Sequence, residues 1–440
     1  MKFLQLCNFR CFEYLEIDFK KDINLLIGDN ASGKTSLIKA CKYALSAFFS
    51  GFSDENTKWI SPKSEDFRRI VVNGETIVNE SPIEIDFEQE DDLFKNARGQ
   101  NSLLKQSKKN SRALVTGIKS YRDNAKWLME HQYKTVDGNV VCEYALPLFA
   151  SFTTEDIHSK RKLDKKAFRM YAQKSSFGYI DCLDGDGLLE YWNERLLALK
   201  EAGKNEVELT VVHKAIVDAL GAEGCNIIDD MDVRPIAKEV FYHFVDGRED
   251  VQLDMLSDGY RRLVNIVTDL AFRCVLLNKN IYGEESALRT KGVVLIDEID
   301  MHLHPMLQAV VLKGLKRAFP QLQFIVTTHA PMVMSGVERN ENNVVYKMEY
   351  DVNEKKYQVS EVQTYGLDAS TIIELMWNMS PRDKNTDNKL KNLFDCIDNN
   401  KVSDAETMLA EMESEYHGQL PELKRARVML DLNAMDYEEN

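Results

Sequence analysis

Residues Gly28, Asp29, Asn30, Ala31, Ser32, Gly33, Lys34 and Thr35 form a complete G-x-x-x-x-G-K-[ST] loop, and the text on either side fixes what it joins. Ile23 to Ile27 is an unbroken apolar run, as in a strand buried on both faces of a parallel sheet. Lys34 to Phe49 repeats apolar residues at helical spacing. Between that strand and that helix, Gly28 and Gly33 let the backbone curl so that its N–H groups converge on phosphate oxygens at the positive end of the helix. Lys34 would reach the β- and γ-phosphates and Thr35 would offer a hydroxyl to Mg²⁺. Asn30, Ser32 and Ser36 join them as candidate nucleotide contacts. The implied ligand is a nucleoside triphosphate.

Two further strands supply the rest of such a site. Val293 to Ile296 is aliphatic and ends in Asp297 and Glu298. At the C-terminal edge of a buried strand, Asp297 can hold Mg²⁺, and Glu298, pointing elsewhere, can act as general base on the attacking water. The bland alternative is a core strand that happens to end in acids. Gln323 to Thr328 is a second such strand and ends in His329, about thirty residues on, the separation of neighbouring βαβ units. A neutral imidazole there can hydrogen-bond the γ-phosphate or the water, whereas a lone histidine is otherwise structural.

The remaining composition limits the alternatives. With 440 residues and 44 % apolar content, the chain can bury a large core and suggests two or three units. A formal charge of −15 argues against a protein coated everywhere in nucleic acid. No apolar run approaches the roughly 18 residues a membrane span requires, and Met1 to Gln5 reads as a strand rather than a signal peptide. The eight cysteines are scattered without a C-x-x-C, so reduced thiols and a cytoplasmic location are the expectation.

Leu256, Ser257, Asp258, Gly259, Tyr260 and Arg261 open a helix running to about Asn278, with Ser257 at the N-cap position. This Leu-Ser-x-Gly turn resembles the signature of ATP-binding-cassette (ABC) ATPases. The resemblance implies ATP and Mg²⁺ as cofactors and an α/β P-loop core with a mixed sheet. It also implies a head-to-tail homodimer or higher oligomer, in which Ser257 and Gly259 cap the γ-phosphate held by the other chain. The opening Asn8-Phe9-Arg10 is similar to the SMC/RecF branch, which makes Arg10 a candidate phosphate contact, a surface ion pair being the alternative. Asp297-Glu298-Ile299-Asp300-Met301-His302-Leu303-His304-Pro305 resembles a variant found in small ABC ATPases of bacterial defence. Its histidines have metal-ligand spacing but no third ligand, and a turn leading into a helix is the simpler reading. Tyr365 to Asp368 and the C-terminal helices extend the likeness to the ATPase subunits of Septu-type anti-phage systems, the PtuA family. That likeness implies an HNH nuclease (PtuB-like) partner.

These readings divide the chain into four parts: 1–155 as the first half of the core, with a polar, basic insertion over about 56–135; 156–235 as a helical lid; 236–350 as the second half of the core; and 351–440 as a strand and helical appendage for partner docking. Basic islands at Lys95 to Lys126 and Lys160 to Lys166 invite DNA or are simply solvated faces. The cassette glutamine that should follow Leu146 to Phe152 is missing before Gln173. Asp184-Gly185-Asp186 reads as a loop rather than nuclease metal ligands. The expected function is therefore an ATPase that dimerises around ATP and regulates a nuclease partner. The alternatives are a RecF-like DNA clamp and, against the Asn-Phe-Arg opening, a transporter subunit.

Overall fold

Two sheets and one long helix position the nucleotide motifs. The computed structural model describes residues 1–72, 74–79, 81–89, 102–106, 118–136, 139–154, 174–185, 188–203 and 206–438. Strands β1 (Phe3–Phe9) and β2 (Phe12–Asp18) form a hairpin, and β3 (Ile23–Gly28) carries the phosphate loop into helix α1 (Lys34–Ser46). β4 (Ile83–Glu88) pairs with β1, setting Phe87 against Leu4 and Ile85 against Leu6. β5 (Ser102–Gln106) completes an antiparallel sheet in the order β2-β1-β4-β5. The stretch expected as an insertion is thus partly core. Ile83, Ile85 and Phe87 are fully buried at every second position, between the polar residues that made the segment read as polar.

The central sheet joins sequence-distant runs. β6 (Leu148–Phe152) is followed by a small antiparallel sheet of β7 (Ile228–Arg234), β8 (Glu239–Phe244) and β9 (Val251–Gln252). Then come β10 (Gly292–Ile296), β11 (Leu322–Thr327), β12 (Asn343–Asp351) and β13 (Lys356–Val362). The six-stranded order is β6-β10-β11-β3-β12-β13, parallel throughout except for the last pair. β3, β6, β10 and β11 are buried along their whole length, which suits strands covered on both faces.

Helices α2 (Lys119–His131), α3 (Leu189–Ala202), α4 (Glu206–Leu220), α5 (Asp258–Tyr282) and α6 (Val311–Ala318) pack around these sheets. The described part of the segment expected as a lid packs closely on neighbouring helices. α4 packs between α5 and α6, and buried Glu208 on α4 accepts from Arg195 of α3 at 2.8 Å and from Lys279 of α5 at 2.8 Å. Trp192 stacks on Phe272 at 4.8 Å and donates its indole N–H to Asp269 at 2.6 Å. Asp269 also pairs with buried Arg273 at 2.5 Å, and Arg273 in turn donates to the carbonyls of Gly178 and Ile180. Buried charges need such partners, and that requirement fixes α3 and α4 to the body.

The chain divides into Met1–Asp368 and Ala369–Asn440. The boundary expected at 351 falls at 368, because β12 and β13 belong to the central sheet. The second unit contains α7 (Ala369–Trp377), α8 (Lys384–Asp398), α9 (Val402–Glu415) and α10 (Pro421–Glu438). Leu390, Leu393 and Ile397 meet Ala405, Leu409 and Met412 of α9 and Leu423, Ala426 and Leu430 of α10. These positions follow the helical spacing seen in the sequence.

Candidate active site

Gly28 and Gly33 are required by their surroundings. Gly28 has φ 146°, and a Cβ there would lie 2.2 Å from the Met348 carbonyl oxygen. Gly33 has φ 95°, and its Cβ would lie 2.5 Å from the Phe12 ring. Gly33 also occupies the N-cap of α1 without a side-chain cap, so the first N–H groups of that helix are left to an anion. Lys34 is buried. Its ammonium donates to the carbonyls of Gly28 at 2.9 Å and Asp29 at 2.8 Å and reaches the Ser32 hydroxyl at 3.3 Å. Burial lowers its pKa, and the carboxylates of Asp297, Asp29, Glu298 and Asp300 work in the opposite direction.

The paired carboxylates emerge beside this loop. A cleft of about 430 Å³ is lined by Cys11, Asn30 to Ser36, Asp297, Glu298, Thr327, His329 and Tyr357. Asp297 is buried, whereas Glu298 is half-buried and has a left-handed backbone with φ 53°, where the chain leaves the strand. The Thr327 hydroxyl donates to Asp297 Oδ1 at 2.6 Å and accepts the Glu298 amide at 2.8 Å. Asp300 accepts from the Thr328 hydroxyl at 2.5 Å and from the His329 amide at 3.3 Å, fixing the backbone of the histidine. Thr327 and Asp300 were not singled out from the sequence. The hydroxyl pair Thr327-Thr328 ahead of His329 was the available signal.

The Thr35 hydroxyl and the Asp297 carboxylate give the cleft hard oxygen donors, a set that suits Mg²⁺ shared with phosphate oxygens and water. Bound there, the ion would neutralise charge developing on the phosphates. Among the described residues no cluster of three or more His, Cys, Asp or Glu is arranged around a metal. His304 instead caps the short helix Pro305–Gln308, accepting the Met306 amide on Nδ1 at 3.3 Å.

The signature turn lies at the start of α5. Ser257 is exposed at the N-cap position, and its hydroxyl makes no capping bond. Gly259 is buried against the turn after the carboxylates, where a Cβ would lie 2.4 Å from the His302 carbonyl oxygen. Arg262, one turn along, donates to the Asp297 carbonyl at 2.8 Å. The helix therefore touches the Asp297 backbone and the turn that follows it through Arg262 and Gly259.

Arg10 differs from expectation. Its Nε donates to Asp66 at 2.9 Å, and its backbone N–H donates to the Asp66 carbonyl at 2.8 Å. Asp66 also accepts from Tyr43 at 2.6 Å and pairs with Lys39 at 2.8 Å. The ion-pair alternative describes Arg10, and the residue of that turn that lines the cleft is Cys11. Of the basic islands, Arg122 and Lys126 on α2 pair with Asp123 and Glu130, as solvated faces do. Lys95, Arg98, Lys108 to Arg112, Lys160 to Lys166 and the stretch up to Gln173 lie outside the described residues.

Comparison with known proteins agrees with this geometry. Residues 4–211 match an AAA-domain family model, and residues 148–335 match a second AAA-domain model. The chain is 24% identical over 380 residues to the Retron Vc95 probable ATPase of Vibrio cholerae serotype O1 biovar El Tor, covering 75% of this chain and 70% of that protein. It is 35% identical over 156 residues to the Septu protein PtuA of Bacillus mycoides (strain KBAB4), covering 36% of this chain and 19% of that protein. Among solved structures, an SmcHead bound to the C-winged helix domain of ScpA overlaps 82% of this chain and 97% of its own, with 15% identity and a TM-score of 0.45. The sheet order, phosphate loop and paired carboxylates are those of an α/β P-loop fold, and the families and relatives that the chain matches make it an ATPase. More particularly, its relatives include retron probable ATPases and Septu PtuA proteins, with RecF proteins matched over shorter stretches. No described helix is long and apolar enough to cross a membrane.

Proposed function

We propose that two copies of this chain close head to tail around two ATP molecules, and that this cycle regulates an HNH nuclease partner in anti-phage defence. Lys34 and Thr35 hold the phosphates and Mg²⁺, with Asp297 completing the metal site. Glu298 takes the proton of the attacking water, and His329 senses the γ-phosphate. The observation that supports the dimer is Ser257. It is exposed at the N-terminus of a 25-residue helix, with a hydroxyl that makes no capping bond and a glycine two residues on that lets the turn lie close. A helix N-terminus whose cap hydroxyl is exposed and makes no capping bond suits a phosphate presented by a second chain. Support for the partner is the likeness to PtuA proteins, and the C-terminal helical unit is the surface offered to it.

The decisive experiment mixes two inactive proteins, Lys34→Ala and Ser257→Arg. In a mixed dimer one composite site carries both lesions and the other carries neither, so ATP turnover reappears on mixing. A mixture as inactive as its components removes the sandwich. Glu298→Gln should trap the ATP-bound dimer without hydrolysis. Purification from the native operon, with a small H-N-H protein co-eluting, tests the partner. A second reading, an ATP-dependent DNA clamp, draws on the RecF protein of Clostridium kluyveri, 46% identical over 43 residues but matched over only 10% of this chain. ATP-dependent retention on DNA without a nuclease partner would favour it.

A further inference from the structure

The cleft crosses the edge of the central sheet, and its two ends differ in chemistry. On one side of β3 stand β11 and β10, which deliver Thr327, His329, Asp297 and Glu298. These groups suit a γ-phosphate, a metal ion and a water. On the other side stand β12 and β13. β12 runs parallel to β3, with Met348 opposite Gly28, and continues to Tyr350, which is paired with Tyr357 of β13. Tyr357 therefore stands beyond the end of β3, beside the phosphate loop, and it lines the same cleft together with Cys11. A triphosphate with its γ end at Asp297 and Glu298 and its middle on the loop leaves its nucleoside at the Tyr357 end.

The Tyr357 ring is held in place. It meets Phe12 edge to face at 5.3 Å and 80°, and Tyr350 at 5.0 Å and 61°. Its hydroxyl is 3.5 Å from the Ala31 carbonyl oxygen, at the outer limit of a hydrogen bond. Phe12 in turn fills the space that a Cβ on Gly33 would take, so aromatic group and phosphate loop are packed as one piece. Resting on the reading of the cleft as an ATP site, we propose that Tyr357 is the platform on which the nucleobase stacks. Each base presents a π-face, and an immobilised ring gives up little freedom when it receives one.

The test compares ATP with Mg²⁺-tripolyphosphate, which has the phosphates but no base, by equilibrium binding to the full chain. Tyr357→Ala should weaken ATP binding about ten- to hundredfold and leave tripolyphosphate binding unchanged. Tyr357→Phe, which keeps the ring, should bind both as the wild type does. ATP binding that survives Tyr357→Ala, or tripolyphosphate binding that falls in step with it, would overturn the proposal, the second by revealing a role in holding the phosphate loop. Lys34→Ala separates the two levels, because it should weaken both ligands. If Lys34→Ala leaves ATP binding intact, it is the cleft assignment that fails. Circular dichroism of each variant shows that it is folded.

Discussion

The Thr327 hydroxyl ties together the two acidic residues that follow β10, donating to Asp297 Oδ1 at 2.6 Å and accepting the Glu298 amide at 2.8 Å. One side chain from β11 thus holds both the Asp297 carboxylate, proposed as a metal ligand, and the backbone of Glu298, proposed as the general base. Thr327→Val keeps the shape and removes both bonds, at a cost of about 1–3 kcal/mol for each buried group left unpaired. Turnover of ATP should fall about ten- to hundredfold, with nucleotide affinity changed much less, and Thr327→Ser should recover most of the loss. Steady-state hydrolysis beside a nucleotide titration checks this. An equal loss in both would mean that Thr327 serves binding and not the geometry of the carboxylates.

Gly259 and His302 make the second junction of the site. An added Cβ 2.4 Å from a backbone carbonyl cannot be absorbed by a rotating side chain, so Gly259→Ala must shift either α5 or the turn after Asp297. Overpacking of this kind costs about 1–3 kcal/mol, which a folded chain of this size survives. Because Arg262 of the same helix holds the Asp297 carbonyl, the shift reaches the carboxylates. Hydrolysis should therefore drop more than about tenfold while the melting temperature falls by only a few degrees. Thermal melts and ATPase assays on one preparation separate the two effects.

The motifs were legible because their chemistry is local in sequence. Gly28 to Thr35, Asp297-Glu298 and Ser257 to Gly259 each carry their turn, helix start or strand end within a few residues. What was not legible depends on strand order. Tyr357 and Cys11 line the cleft only because β13 and the β1–β2 hairpin lie beside the phosphate loop. The pairing of Arg10 with Asp66 is invisible without the fold. The packing of the segment expected as a lid depends on the fold in the same way: Arg195 and Glu208 are buried partners, joined by Lys279, and the three come from three helices. The alternation at Ile83, Ile85 and Phe87 is present in the sequence, inside a segment that is polar on average.

Asp269 tests the claim that α3 belongs to the body. It holds Arg273 in a buried ion pair and accepts from Trp192, so Asp269→Ala strands a guanidinium inside the protein. Breaking one side of a buried pair costs about 3–5 kcal/mol. Chemical denaturation should show a loss of that size, and proteolysis should open the α3–α4 region first. A loss below about 1 kcal/mol would mean that α3 is loosely attached.

Asp66 predicts the acid behaviour of the β1–β2 turn. Burial alone would raise its pKa, but hydrogen bonds from Lys39, the Lys63 amide, Tyr43 and Arg10 outweigh burial and hold the carboxyl below the usual range. A carboxyl depressed in the folded state contributes stability above its unfolded pKa of about 3.9, and that contribution disappears as pH falls through the lower folded value. Stability should therefore decline as pH falls below about 4, with this turn contributing. Asp66→Asn should be less stable at neutral pH, and its stability should change less between about pH 5 and 3 than that of the wild type. Parallel acid profiles for the two proteins would show that Asp66 titrates alike in the folded and unfolded chains.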